Sequence, residues 1–263
     1  MSQKECAGPL LCTMSRSVEL RRARPLLGTF VEIAARAPNE HKCRRALTAG
    51  FAAIARVQRL MSRHDPASDL SRLNAGEAGA MHPWTHTVLR AARQFAEESK
   101  GVFDVAWGGP ERRDLGGIAK GFAVDRAVDA LRDAGATGGI VNAGGDLRAF
   151  GDEPQLIVIR HPVRPGEEAG RILLRDCALA TSSCCFAPDL FDGRDGAPIA
   201  RDVSVTVSAA DCLTADALTK IALVLRERAL PLLVQHGADA FLLERDLPPR
   251  WLREHDAPQL DHT

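Results

Sequence analysis

The sequence predicts a single α+β domain with an antiparallel sheet and packed helices. Three observations carry that prediction. The second half of the chain is rich in strand-like segments, and several follow one another with no helix between them, which favours antiparallel pairing. The first half holds long stretches with apolar residues at steps of three and four, the mark of helices with one buried face. Across the 263 residues there is no linker, internal repeat or low-complexity block that would split the chain into two units.

The elements follow in order. Residues 1–20 read as a loose lead, and 21–248 as the folded domain. GTFVEIAA, Gly28 to Ala35, reads as a strand rich in Val, Ile, Phe and Thr. Asn39 is placed to cap a long helix, in which Cys43, Leu47, Phe51, Ile54, Val57 and Met61 form a core-facing stripe. Asp65-Pro66 starts a turn, and Ser68 or Asp69 caps a short helix. Thr85 to Lys100 is a further amphipathic helix, stopped by Gly101. GVFDVAW reads as a short extended piece, and Ala119 to Ala134 as helix. GGIVNAGG, LRAFG, LIVIR, RILLR, ALATS and VSVTVSA are the strand-like run. A helix from Thr214 to Glu227, a second from Leu230 to His236 and the strand-like AFLLE follow. Residues 249–263 are rich in proline and charge and read as a tail.

Composition narrows the function. Lys+Arg and Asp+Glu both number 34, so no basic excess points to nucleic acid. Seven cysteines at irregular spacing, with no CxxC, make no disulfide framework and point to a reducing compartment. No run of eighteen apolar residues occurs, so no membrane span is expected. The N-terminal stretch is a poor export signal, its apolar run broken by Gly8 and Pro9, and a cytoplasmic address is expected.

Three glycine- or acid-marked stretches could carry chemistry. In DLGGIAKGFAVD, Asp114 to Asp125, a paired glycine and Lys120 stand where a helix begins. A lysine there opposes the helix dipole unless an anion is bound, so the stretch reads either as a phosphate site or as a plain turn with a solvated lysine. It is neither a P-loop nor a GxGxxG turn. NAGGDLRAFG, from Asn142, reads as a hairpin or as backbone that closely approaches a bulky ligand. In LTADALTKIAL, Thr214 is a natural cap, which puts Asp216 in the first turn with Lys220 one turn on. Asp216 reads either as a helix-start acid or as a ligand for a hard cation. The histidines show no metal-ligand spacing, and His64 reads as a surface loop residue. Ser182 and Ser183 lack a nucleophile-elbow context, and Cys184-Cys185 has no evident base.

The succession RPLLGTFVEI, MSRHDPASDLSRLN, GVFDVA, DLGGIAKGFAVD, GIVNAGGDLRAFG, ALATS, VSVTVSA and TADALTK resembles the ApbE family of FAD:protein FMN transferases, over roughly Arg24 to Glu244. The resemblance implies a single T-fold-related α+β domain with flavin bound in a cleft. It implies transfer of FMN from FAD to a Ser or Thr hydroxyl of a target flavoprotein, with Mg²⁺ as cofactor and AMP released. By the same resemblance, Asp114 contacts the adenosine part of FAD, and Lys120, Leu27 and Phe103, Asp104 and Val105 contact the nucleotide. The Gly117 carbonyl and Asp216 would hold the Mg²⁺. Two positions depart from the family pattern. Lys220 stands where a second metal ligand, a Thr, is usual, with Thr219 one place early and facing away. Asp189 stands where a His is usual, contacting FAD as a candidate base, while Asp192 keeps the family Asp. Two other readings use the same residues: splitting of FAD to FMN and AMP by water, and FAD binding without turnover.

Overall fold

The computed structural model describes residues 17–77, 79–164, 166–183, 190–199, 203–245 and 247–253. Helix α1 (Glu40–Met61) begins where Asn39 predicts, because that side chain accepts the N–H of Lys42, an orphan donor of the first turn. Its apolar stripe is buried from Cys43 to Met61. Ser68 caps α2 (Asp69–Asn74) through the N–H of Ser71. α3 (Pro83–Glu98) starts two residues before the expected Thr85, with His82 as its cap and proline in the first turn. α4 (Ala119–Asp133) and α6 (Leu230–Gln235) fall close to their predicted spans.

The strands are β1 (Val18–Leu26), β2 (Thr29–Ala37), β3 (Gly138–Ala143), β4 (Asp146–Phe150), β5 (Gln155–Arg160), β6 (Glu168–Leu174), β7 (Ala178–Ser183), β8 (Val203–Ala209), β9 (Asp239–Glu244) and β10 (Leu247–Leu252). Eight of them make one sheet in the order β1-β2-β3-β4-β7-β8-β9-β10, and every adjacent pair is antiparallel. The fold class expected from the sequence is the one observed. β5 and β6 leave this sheet and pair only with each other.

Both faces of the sheet are covered, and side chains alternate between them. Val31, Ile33, Val141, Ala180, Val205 and Val207 join the large core with the helices. Ala34, Ile140, Leu147 and Leu179 face the other way and meet Ile157 and Ile172 of the β5–β6 hairpin. Among the described residues no helix is long and apolar enough to cross a membrane.

Four local readings are corrected. β1 begins at Val18, inside the stretch read as lead; its arginines and glutamate hide it because they sit on an edge strand, where charge is tolerated on both faces. β10 takes in Pro249 to Leu252, read as tail; a proline fits the opposite edge of the sheet, where no ladder partner is owed an N–H. GVFDVAW is a chain of turns, because the Phe103 N–H donates to Ser99 Oγ and the Ala106 N–H to Asp104 Oδ1 instead of to a neighbouring strand. α5 (Cys212–Leu225) starts two residues before Thr214. Asp211 is its cap, accepting the Thr214 N–H at 2.8 Å, so Asp216 lies beyond the first turn.

The contact of α4 with α5 positions the chemistry. A Cβ on Gly121 would lie 2.2 Å from the Cys212 carbonyl oxygen, so only glycine lets the helices approach this closely. At that approach each helix caps the other. Asp125 of α4 accepts the N–H groups of Cys212 and Leu213 at 3.0 and 2.9 Å, the first donors of α5. Asp216 of α5 accepts the Gly121 N–H in the first turn of α4 at 3.0 Å, where Ile118 supplies no side-chain cap.

Candidate active site

A cleft of about 1350 Å³ opens on the face of the central strands turned away from α1. Its floor holds Ile140, Asn142, Leu147, Leu179 and Thr181, and β5 forms one wall. The opposite wall carries Phe103, Asp104, Val105, Trp107, Asp114, Gly116, Gly117, Lys120 and Lys220. The β3–β4 turn, Gly144-Gly145, lines the cleft with both φ angles positive, and a Cβ on Gly144 would meet the Thr29 side chain at 2.6 Å. It is therefore both a hairpin turn and a bare stretch of backbone against the cleft.

The lysine that opens α4 is not solvated. Lys120 Nζ lies 2.6 Å from Asp146 Oδ2, on the first residue of β4 after the glycine turn. Asp146 is completely buried, and its Oδ1 has no hydrogen-bond partner among the described residues. Lys220 Nζ bonds Asp216 Oδ1 and, at 3.0 Å, the Asp216 carbonyl oxygen one helical turn back. Two buried carboxylates thus stand behind two ammonium groups that line the cleft.

Electrostatics follow from this layering. Burial pushes the Asp146 carboxyl up, the Asp216 carboxylate pushes it further, and Lys120 and Lys220 pull back, leaving it at about 6. Burial works to discharge Lys120, but the Asp146 and Asp216 carboxylates outweigh it and hold the ammonium protonated more firmly than an ordinary lysine. At the rim, Asp114 accepts the Gly116 N–H at 2.8 Å and pairs with Arg63 at 3.0 Å. Trp107 stacks on Phe191 with ring centroids 4.6 Å apart.

This geometry sits in a chain whose relatives are recognisable. A sequence model of the ApbE family matches residues 27–113 and 109–242. The chain belongs to the ApbE family. It is similar to the flavin transferase ApbE from Vibrio cholerae with a TM-score of 0.77 at 23% identity, over 90% of this chain and 97% of that one. The ApbE protein from Thermotoga maritima gives 0.74 at 27% identity, over 86% and 94%. The apo flavinyl transferase ApbE from Pseudomonas stutzeri gives 0.75 at 20% identity, over 91% and 95%. A curated relative from Haemophilus influenzae, named FAD:protein FMN transferase, is 32% identical over 150 residues. That match covers 50% of this chain and 43% of the relative, less than half its length.

Of the ApbE positions expected from the sequence, Phe103, Asp104, Val105, Asp114, Gly117 and Lys120 line one cleft. Asp216 stands behind them under Lys220. Leu27 does not line it. It occupies the β1–β2 turn at φ +55°, donates its N–H to Gln58 Oε1 at 2.8 Å and rests on the helical core. Asp189, and with it Cys184 and Cys185, lies outside the described residues. Asp192 pairs with Arg194. His64 is exposed, as read from its loop. Asp146 is not marked by the local sequence, because Gly144-Gly145-Asp146 reads as a turn. Its signal was strand alternation, since Asp146, Arg148 and the fully buried Phe150 share one face, and a charge on a buried face needs a partner. Arg63 carried no sequence signal.

The divalent ion implied by the resemblance does not fit the donors as they stand. Both Asp216 oxygens are engaged, one by Gly121 and one by Lys220, and the side chain is fully buried. The described residues hold no group of three His, Cys, Asp or Glu that could share an ion. One unpartnered oxygen on Asp146 is far from the near-octahedral oxygen shell that Mg²⁺ demands.

Proposed function

We propose that this ApbE-family chain transfers FMN from FAD to a Ser or Thr hydroxyl of a target protein and releases AMP. The observation that carries the reading is the pair of lysine ammoniums, Lys120 and Lys220, on one wall of a cleft large enough for a dinucleotide. FAD is a dianion at its pyrophosphate, and fixed positive charge at the phosphorus under attack stabilises the charge that develops there. The name of the Haemophilus influenzae relative, FAD:protein FMN transferase, supports the same reaction.

In that reaction the acceptor oxygen forms a bond to the FMN phosphorus. The bond from that phosphorus to the bridging oxygen breaks, AMP leaves with the electron pair, and the hydroxyl proton passes to a base. Asp189 is the candidate base by resemblance alone. Lys120, fixed by Asp146, and Lys220, fixed by Asp216, orient the pyrophosphate. Phe103 and Val105 supply apolar contact, and Asp114 with Arg63 closes the rim beside the adenosine.

The test is AMP release from FAD by the purified protein, with and without a peptide carrying an acceptor Ser or Thr from a flavinylated protein. Release that depends on the peptide, with flavin fluorescence covalently on it, is the expected result. Peptide-independent release identifies FAD hydrolysis instead, and bound FAD with no AMP in either arm identifies a binding protein.

A further inference from the structure

We infer that the Lys220 ammonium takes the place of a divalent cation in this cleft, so that the pyrophosphate of FAD is held without metal. The identity of the ligand rests on the function proposed above; the displacement of the ion rests on geometry alone.

Both carboxylate oxygens of the residue that would anchor a cation are already engaged. Asp216 Oδ2 accepts the Gly121 N–H at 3.0 Å, and Oδ1 accepts Lys220 Nζ. The same ammonium reaches the Asp216 carbonyl oxygen at 3.0 Å. Lys220 Cε comes within 3.7 Å of where a Cβ on Gly117 would stand. The lysine therefore fills the corner between Gly117 and Asp216, the two positions expected to bind the ion. Entry of a dication there would require the Lys220 ammonium to give up both of its bonds to Asp216.

Charge counting agrees. Two ammoniums stand against two carboxylates, a balanced set before any ion arrives. The balance is layered, because the carboxylates are fully buried while the lysines are the members that line the cleft. A ligand phosphate meets the positive ends first. Each ammonium has three N–H donors, so Lys120 and Lys220 retain donors to aim at phosphate oxygens beyond the bonds they already make.

Two measurements on the native protein decide the inference. The first is the EPR signal of free Mn²⁺ titrated with protein, and the second is FAD affinity, by quenching of flavin fluorescence, in excess EDTA and in millimolar Mg²⁺. The expected results are an undiminished Mn²⁺ signal and FAD dissociation constants that agree within about twofold. Loss of the Mn²⁺ signal at stoichiometric protein, or a larger gain in FAD affinity from Mg²⁺, overturns the inference. Lys220→Thr frees Asp216 Oδ1, and this variant is expected to acquire Mn²⁺ binding and Mg²⁺-dependent FAD affinity. A folded Lys220→Thr protein that binds no Mn²⁺ counts against the ammonium as the ion's replacement. Failure of FAD as the ligand reads differently: native protein then binds no FAD in either buffer, and the Mn²⁺ signal alone decides the place of Lys220.

Discussion

Two ion pairs cross the same interface, between α4 and β4, and they face opposite tasks. In one, α4 brings the acid and β4 the base: Asp125 meets Arg148 at 2.7 Å. In the other the polarity reverses, and Lys120 of α4 meets Asp146 of β4 at 2.6 Å. Asp125 is engaged on both oxygens, with Arg148 and the Cys212 N–H on one and the Leu213 N–H on the other. Asp146 keeps an oxygen without a partner, and its cation reaches the cleft. A carboxylate that bonds inside the fold through both oxygens ties α4 to β4 and to the start of α5. A pair that leaves one end unspent holds a charge ready for a ligand.

The largest effect expected comes from breaking the first pair. Asp125→Ala leaves the largely buried Arg148 without its carboxylate and the Cys212 and Leu213 N–H groups without their acceptor, and a loss of about 3–5 kcal/mol is expected in urea unfolding. A loss no greater than that of an ordinary surface substitution would show that this pair does not join the helices. Gly121→Ala attacks the same joint through shape. Alanine favours helix over glycine by about 1 kcal/mol, but its Cβ would meet the backbone at the Cys212 carbonyl, 2.2 Å away. Overpacking wins, and a destabilisation of about 1–3 kcal/mol is expected from the same unfolding curves. A stabilised Gly121→Ala protein would mean that the helices part without cost.

The second pair is expected to show itself in binding. Lys120→Met removes a charge that faces the cleft, and FAD affinity should fall roughly tenfold to hundredfold, the worth of a charged hydrogen bond. Asp125→Asn, where folded, should leave FAD affinity near native, and the contrast is read by fluorescence titration of both variants. The smallest effect is on pH dependence. The folded Asp146 carboxyl sits at about 6, above the ordinary carboxyl near 4. Between these values the folded chain keeps a proton that the unfolded chain has lost. Stability therefore declines as pH rises through that window. Asp146→Asn should flatten that decline in urea midpoints measured across it. Part of the slope remains, because burial also raises Asp125 against the pull of the Cys212 and Leu213 N–H groups and Arg148. An unchanged slope would place the titrating proton elsewhere.

Much of the fold was legible because it is written in local periodicity. The α1 stripe and its Asn39 cap, the run of strands and the glycine turns need only neighbours in the chain. The edge strands β1 and β10 were not legible, since charge and proline there obey the position in the sheet and not a strand pattern. In the site, Lys120 stands out as a residue out of keeping with a helix start, whereas Asp216 suits one and is marked by the resemblance alone. Asp146 does not stand out, because Gly144-Gly145-Asp146 makes a sufficient turn by itself and its partner lies 26 residues away.

By itself the sequence determined the α+β class and most element positions, because side-chain spacing fixes which face of a helix or strand is buried, and its resemblance to the ApbE family picked out residues that line one cleft. Only the tertiary structure decided what the charges do. Whether Lys120 is solvated or held by Asp146, and whether Asp216 is open to an ion or closed by Gly121 and Lys220, depends on contacts across the α4–α5 crossing and between α4 and the start of β4. Electrostatic free energy is set by distance and burial, and neither is a property of spacing along a chain.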